Sequence, residues 1–159
     1  MMIVDSLPFF GAIFGASDVE AIRSRATGMR EAMVKESQAV YAAGAVRMTP
    51  MMVRTAGAPA AVVTRASAAS DHRVVAQAMY DDMTTDLRQT IAKIKLPVTL
   101  LYPWDSVSGM TAASTDSFYH AQYAALQGMT FQRIDASRHF IMIDQFDVFA
   151  AAVDKFLAP

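Results

Sequence analysis

The segment "LPVTLLYP", residues 96–103, decides the fold of this chain. It is an apolar run bounded by prolines, a pattern typical of a strand buried on both faces of a parallel sheet. The short apolar run "MMIVD" (1–5) and the weakly alternating "TFQRID" (130–135) also have strand character. Helical segments separate the three strands. This order predicts an α/β fold with a parallel sheet of about three strands and right-handed crossovers.

A long helical block lies between the first two strands. Ser17 and Glu20 have the spacing of a capping box, and Gly44 is a plausible end for the helix that follows. Pro50 suits the first turn of another short helix, and Ser70 is a candidate N-cap for the next one. We therefore expect residues 12–95 to be all-helical.

This helical block is far longer than one crossover connection requires. We therefore expect two regions in the chain. Residues 1–11 and 96–159 would form the α/β core, and residues 12–95 would stand off the sheet as a helical cap.

Composition excludes several function classes. The net charge of −1 with no basic run argues against binding nucleic acid or an anionic membrane. The sequence has no cysteine, which rules out disulfides and a thiol nucleophile, and its three histidines lack metal-ligand spacing, so we expect neither a metal nor a cofactor. The longest apolar run, "LPFFGAIFGA", has ten residues, too few to cross a bilayer. No basic residue precedes Arg23, so we expect a cytoplasmic protein without a signal peptide.

Acidic residues and a histidine follow the predicted strands. Asp5 and Ser6 end the first strand, Asp105 ends the second, and His139 follows the third. Because ligands bind beyond the carboxyl ends of parallel strands, an acid and a histidine there could act as an orienting carboxylate and a general base.

Two segments make the chain similar to a known superfamily. "IKLPVTLLYPWD" (94–105) and "SRHFIMIDQFDVFAAAVDKFL" (137–157) resemble the carboxyl-terminal part of an α/β-hydrolase, and "MIVDSLPFFGAIFGA" (2–16) resembles the strand that follows the nucleophile helix. The resemblance implies a partial three-layer α/β-hydrolase-like fold with a helical cap insertion. It further implies that His139 is the general base, that Asp105 is the triad acid, and that the ancestral activity is hydrolysis of an ester or lactone.

Other residues near the histidine leave the acid open. Asp135 and Asp144 lie close to His139 in sequence, and either could orient it instead, although Asp144 also suits the N-cap of the last helix. The many methionines of the helical block are more often core filler than a binding surface. In a complete hydrolase, however, a cap lined by methionine and phenylalanine would suit an apolar ester-type substrate.

The nucleophile is the main departure from the superfamily. No G-x-S-x-G elbow occurs in the sequence. Ser6 could complete a serine–aspartate–histidine order, but "DSLPFF" has no glycines for an elbow and does not begin a helix. Two hypotheses remain. In the first, His139 activates a serine supplied by a missing amino-terminal half; in the second, the chain is a non-catalytic binding or structural module.

An exposed sheet edge follows from either hypothesis. If "MMIVD" is an edge strand, its free backbone groups and the apolar surfaces nearby can pair with another chain. Unless an amino-terminal half covers this edge, we expect a homo-oligomer, most simply a two-fold dimer.

Overall fold

A computed structural model describes residues 1–158 of the chain. Three strands form one parallel sheet: β1 (Met2–Val4), β2 (Val98–Trp104) and β3 (Met129–Asp135). Their order is β1-β2-β3, with Ile3 opposite Leu100 and Leu100 opposite Phe131. The predicted parallel sheet of three strands is confirmed.

Helices occupy the connection between β1 and β2. The four α-helices there are α1 (Val19–Lys35), α2 (Gln38–Met52), α3 (Ala58–Ala69) and α4 (His72–Thr84). Short 3-10 turns at Phe10–Phe14 and Thr90–Lys93 flank them. Helix α1 packs on α4, and α2 packs on α3. Within the described residues no strand interrupts 12–95, and the division into core and cap stays a prediction.

Two aspartates cap helices where serines were expected. The carboxylate of Asp18 accepts the backbone N–H of Ala21 at 2.9 Å, and the predicted cap, Ser17, instead donates its hydroxyl to Asp18. In the same way Asp71 caps α4, while Ser70 ends α3. An ionised carboxylate is the stronger acceptor for the free N–H groups of a first turn.

The predicted helix end at Gly44 is wrong. Helix α1 stops at Lys35, Ser37 caps α2, and α2 then continues through Gly44 and Pro50 to Met52. Pro50 lies in the last turn of α2, where it removes one helical hydrogen bond.

Three helices complete the chain: α5 (Ala112–Gln122), α6 (Ile141–Asp144) and α7 (Phe146–Leu157). Thr111 caps α5 by accepting the backbone N–H of Ser114 at 3.1 Å. A short helix, α6, precedes the final helix α7, and Gln145 lies between them. No helix in the described part of the chain is both long and apolar enough to span a bilayer.

Strand β2 is buried on both faces. Val98, Leu100 and Tyr102 pack against α5 on one side, and Leu101 packs against the α6–α7 side with Ile134. A third apolar cluster, built around Phe9 and Met83, joins the loop after β1 to α1 and α4. Fully burying each such side chain contributes about 1.5–3 kcal/mol to stability, so β2 fixes the sheet against which the loops after the strands are positioned.

Candidate active site

The loop residues after the three strands meet at one edge of the sheet. Asp5, Asp105 and the segment that contains His139 follow β1, β2 and β3 respectively. Because the strands are parallel, all three carboxyl ends lie on the same side of the molecule. This arrangement brings titratable groups from distant parts of the sequence together.

The carboxylate that contacts His139 belongs to Asp5. Its Oδ2 lies 2.8 Å from Nδ1 of His139, and the Asp5 side chain is 12% exposed, compared with 45% for the imidazole. The hydrogen bond to Asp5 raises the pKa of His139 above its usual value, and partial burial of the ring opposes this rise. The pair therefore has the geometry of an oriented histidine.

Asp5 adopts a left-handed backbone conformation, with φ of 40°. Aspartate tolerates this region better than most residues, and here it turns the chain directly after β1 while the Asp5 N–H still bonds to the carbonyl of Leu101 at 2.8 Å. Asp5 is thus fixed by the sheet itself.

Asp105 has different partners from those we expected. It is buried, and its Oδ2 lies 3.2 Å from Nε of Arg138 and 3.3 Å from Nε of Arg54. The backbone N–H of Val107, followed by these arginines, lowers the pKa of Asp105, although burial opposes the effect. The expected hydrogen bond between Asp105 and His139 is absent from the described residues, but both side chains line one cavity.

A phenol completes the coordination of Asp5. The hydroxyl of Tyr119, on α5, donates to Oδ1 of Asp5 at 2.5 Å. Burial, followed by the neighbouring Asp5 carboxylate, raises the pKa of Tyr119. Asp5 therefore bonds to His139 through one oxygen and to Tyr119 through the other.

Within residues 1–158, neither of the two alternative orienting acids makes a hydrogen bond to His139. Asp135 pairs with Arg133 at 2.6 Å. Asp144 accepts backbone N–H groups from Arg54, Thr55 and Arg138 at 2.7–3.0 Å. Burial of Asp144 opposes ionisation, but these donors outweigh it and lower its pKa. The predicted N-cap role of Asp144 is wrong, because it binds N–H groups of two loops instead.

Ser6 makes no hydrogen bond with His139 in the part of the chain that the structure describes. Its backbone carbonyl accepts the hydroxyl of Tyr123 at 2.7 Å. Ser6 is exposed and lines the same cavity as His139, but the contact required of a nucleophile is missing.

The other histidines lie elsewhere. His72 hydrogen-bonds the side chain of Gln38 at 2.9 Å, and the ring of His120 packs on Phe131. Among residues 1–158 no group of three potential ligands could hold a metal ion.

Two cavities share the ring of His139. One, of about 360 Å³, has the apolar side chains of Met51, Trp104, Met110 and Phe118 in its wall. The other, of about 440 Å³, includes Leu7, Phe10, Met52 and Met79. The indole Nε1 of Trp104 donates to the carbonyl of Met110 at 2.9 Å, which fixes this wall of the first cavity. Apolar walls with a few polar groups are typical of small-molecule sites.

Asp5 is the site residue whose role the sequence did not reveal. Its position directly after a strand is a signal of the same kind as that of Asp105. What the sequence does not contain is the path of the loop after β3, which reaches α2 through a bond from Phe140 N–H to the carbonyl of Met52.

Comparison with known proteins gives structural matches alone. No protein-family model and no curated protein matches the sequence. A hydrolase from Pseudomonas aeruginosa matches with a TM-score of 0.72 and 18% identity over 99% of this chain and 55% of its own. An enol-lactonase from Burkholderia xenovorans matches with a TM-score of 0.66 and 18% identity over 98% of this chain and 55% of its own. MenH from S. aureus matches with a TM-score of 0.71 and 13% identity over 98% of this chain and 57% of its own.

These identities are low, so the matches carry the fold alone. The chain spans about half the length of the solved structures that it matches. Its order of strands and helices agrees with the resemblance found in residues 94–105 and 137–157. The chain has the partial, carboxyl-terminal fold of an α/β-hydrolase.

Proposed function

We propose that His139 and Asp5 are the base and the orienting acid of an acyl hydrolase site for esters or lactones. The observation that carries the proposal is the 2.8 Å contact between Nδ1 of His139 and Asp5. It leaves Nε2 of the same ring without a hydrogen bond among the described residues. We assign the role of general base to that nitrogen. The attacking serine would come from polypeptide outside residues 1–159.

The chemistry follows from this arrangement. Nε2 of His139 takes the proton of the serine hydroxyl while the serine oxygen bonds to the substrate carbonyl carbon, and Asp5 stabilises the imidazolium. The imidazolium then gives its proton to the leaving oxygen as the acyl–oxygen bond breaks. A water molecule then gives a proton to the same nitrogen as its oxygen bonds to the acyl carbon. The bond from that carbon to the serine oxygen breaks, and the imidazolium returns the proton to the serine oxygen.

The walls of the cavities support an apolar acyl substrate. Side chains such as Phe10, Met79, Met51 and Phe118 surround the ring of His139 on two sides. Apolar surface removed from water contributes about 25 cal/mol per Å² to binding, so an acyl chain that fills these cavities gains affinity in proportion to its length.

Asp105 as the triad acid remains a second proposal. The resemblance supports it, whereas the hydrogen bond of His139 supports Asp5. Matched variants separate the two, because Asp5→Asn and Asp105→Asn each remove one charge with little change in shape.

A non-catalytic module is the alternative function. It is favoured by one specific observation, the absence of a G-x-S-x-G elbow from the sequence. Without a nucleophile and its oxyanion hole, residues 1–159 alone would not turn over an ester.

The experiment uses p-nitrophenyl butyrate. We expect background hydrolysis from the chain alone. We expect turnover when the chain replaces the matched carboxyl-terminal part of the Pseudomonas aeruginosa hydrolase, behind that protein's amino-terminal portion. In this fusion His139→Gln should lower kcat about 10²–10⁴-fold, as expected for loss of a general base. His120→Gln, a histidine outside the cavities, is the control.

The variants of this fusion also test the acid. A larger loss of kcat in Asp5→Asn than in Asp105→Asn supports Asp5. A folded fusion, verified by circular dichroism, whose esterase rate does not respond to His139→Gln would support the non-catalytic module.

A further inference from the structure

The hydroxyl of Tyr119 has no part in the proton transfers described above. It is buried, yet it donates its only proton to Oδ1 of Asp5 at 2.5 Å. Asp5 therefore receives one hydrogen bond at each carboxylate oxygen, from a phenol at Oδ1 and from the imidazole of His139 at Oδ2.

Packing holds the phenol in this position. The ring of Tyr119 stacks on Tyr102 of β2 with centroids 4.4 Å apart and meets Phe118 edge-on at 5.7 Å. Helix α5 thus presents a fixed donor to the residue that ends β1. The distance between Tyr119 and Asp5 is set by the fold and not by a mobile side chain.

A matched residue lies one helical turn away. The hydroxyl of Tyr123 is also buried, but it donates to the carbonyl of Ser6 at 2.7 Å and not to the carboxylate. The two tyrosines therefore make similar packing contributions and differ in which acceptor they bind.

We infer that Tyr119 is a positioning residue that acts through Asp5. Its hydrogen bond weakens the interaction of the Asp5 carboxylate with His139 and so lowers the basicity of the histidine. Any effect of Tyr119 on catalysis rests on the proposed function, whereas its effect on the basicity of His139 does not.

The sign of the effect follows from electrostatics. The pair of Asp5 and neutral His139 carries one negative charge, and the protonated pair carries none. A donor to Asp5 stabilises the more negative form, so removing the donor favours protonation of the histidine. Other titratable or charged groups line the same two cavities: Asp82 on α4, Asp105 after β2 and Arg138 beside the histidine.

The test is an NMR titration of His139 in the full chain, with its signals assigned by loss in His139→Gln. In Tyr119→Phe we expect the measured pKa of His139 to rise by about 0.5, the size of a modest change in one hydrogen bond. In Tyr123→Phe it should stay at the wild-type value. In an Asp5→Asn background, Tyr119→Phe should have no effect on it.

A second variant covers a folding failure of Tyr119→Phe. Replacing Tyr119 with 3-fluorotyrosine keeps the ring and makes the hydroxyl a stronger donor, so the pKa of His139 should fall. An unchanged pKa in both variants, or a fall in Tyr119→Phe, overturns the inference, because the phenol would then act through packing alone. Since the titration needs no ester, its outcome is separate from that of the hydrolase assay.

Discussion

His139 depends on a residue at the opposite end of the sequence. Asp5 reaches it across the edge of the sheet from β1, although β2 lies between their strands. The contact therefore exists only when all three strands are in register. A measurement of the interaction between Asp5 and His139 therefore depends on the assembly of the sheet as well as on the site.

The pairing of His139 with Asp5 makes stability depend on pH. The folded-state pKa of His139 is raised, so its contribution is fully present below the unfolded value of about 6.5 and is lost as pH rises through the folded value. We expect the free energy of unfolding in urea to fall as the pH rises above about 6.5, and to fall less in Asp5→Asn. His72→Gln is the control and should follow the wild type.

The sequence placed the histidine correctly at a strand end but could not choose its partner. Asp5 and Asp105 directly follow strands, Asp135 is the last residue of β3, and Asp144 lies close to His139 in sequence. Local patterns do not encode which of these carboxylates a distant loop meets. Asp105 pairs with arginine side chains, and Asp144 accepts backbone N–H groups. Both sets of contacts join residues that are far apart in sequence. A parallel order of strands was easier to predict, since it depends on apolar runs and connection lengths.

At the scale of elements, one carboxylate joins two loops. Asp144, at the end of α6, receives N–H groups from Arg54 and Thr55 after α2 and from Arg138 before α6. The N–H groups of Thr55 and Arg138 lie in part-buried positions, whereas that of Arg54 is exposed. Asp144 therefore ties the helical region to the loop that carries His139.

Asp144→Ala should lower the free energy of unfolding by about 2–3 kcal/mol, because it leaves several N–H groups without their acceptor. Urea denaturation checks this value. Asp154→Ala, at an exposed position on α7, removes a carboxylate without described partners and should change stability by no more than about 0.5 kcal/mol. Equal losses in the two variants would contradict a role for Asp144 as a tie.

At the scale of the whole molecule, the sheet has an unpaired border in the described residues. The carbonyl of Met1 and the N–H of Asp5 form hydrogen bonds with β2. Because successive residues of a strand direct their backbone groups to opposite sides, the N–H and carbonyl groups of Met2 and Val4 lie on the other side of β1. Exposed apolar residues on α2, such as Val40, Met48 and Met51, add to the uncovered surface. We propose that a second copy of the chain covers this border in a two-fold dimer.

Light scattering at micromolar concentration should give the mass of a dimer. Met2→Pro removes an outward N–H while leaving the bonds to β2, so it should shift the mass toward that of a monomer. Val74→Ser, at an exposed position on α4, serves for comparison and should leave the mass unchanged. A monomeric wild-type chain would contradict the proposed interface.

The tryptophan in the cavity wall gives the site its own optical reporter. Trp104 is the one tryptophan in the sequence. Its indole is hydrogen-bonded to the carbonyl of Met110 and lines the same cavity as His139, so a ligand in that cavity would lie close to it. Its fluorescence emission therefore comes from a single known location. Titrating esters or fatty acids against this emission would measure affinity for the cavity without any label and without any turnover.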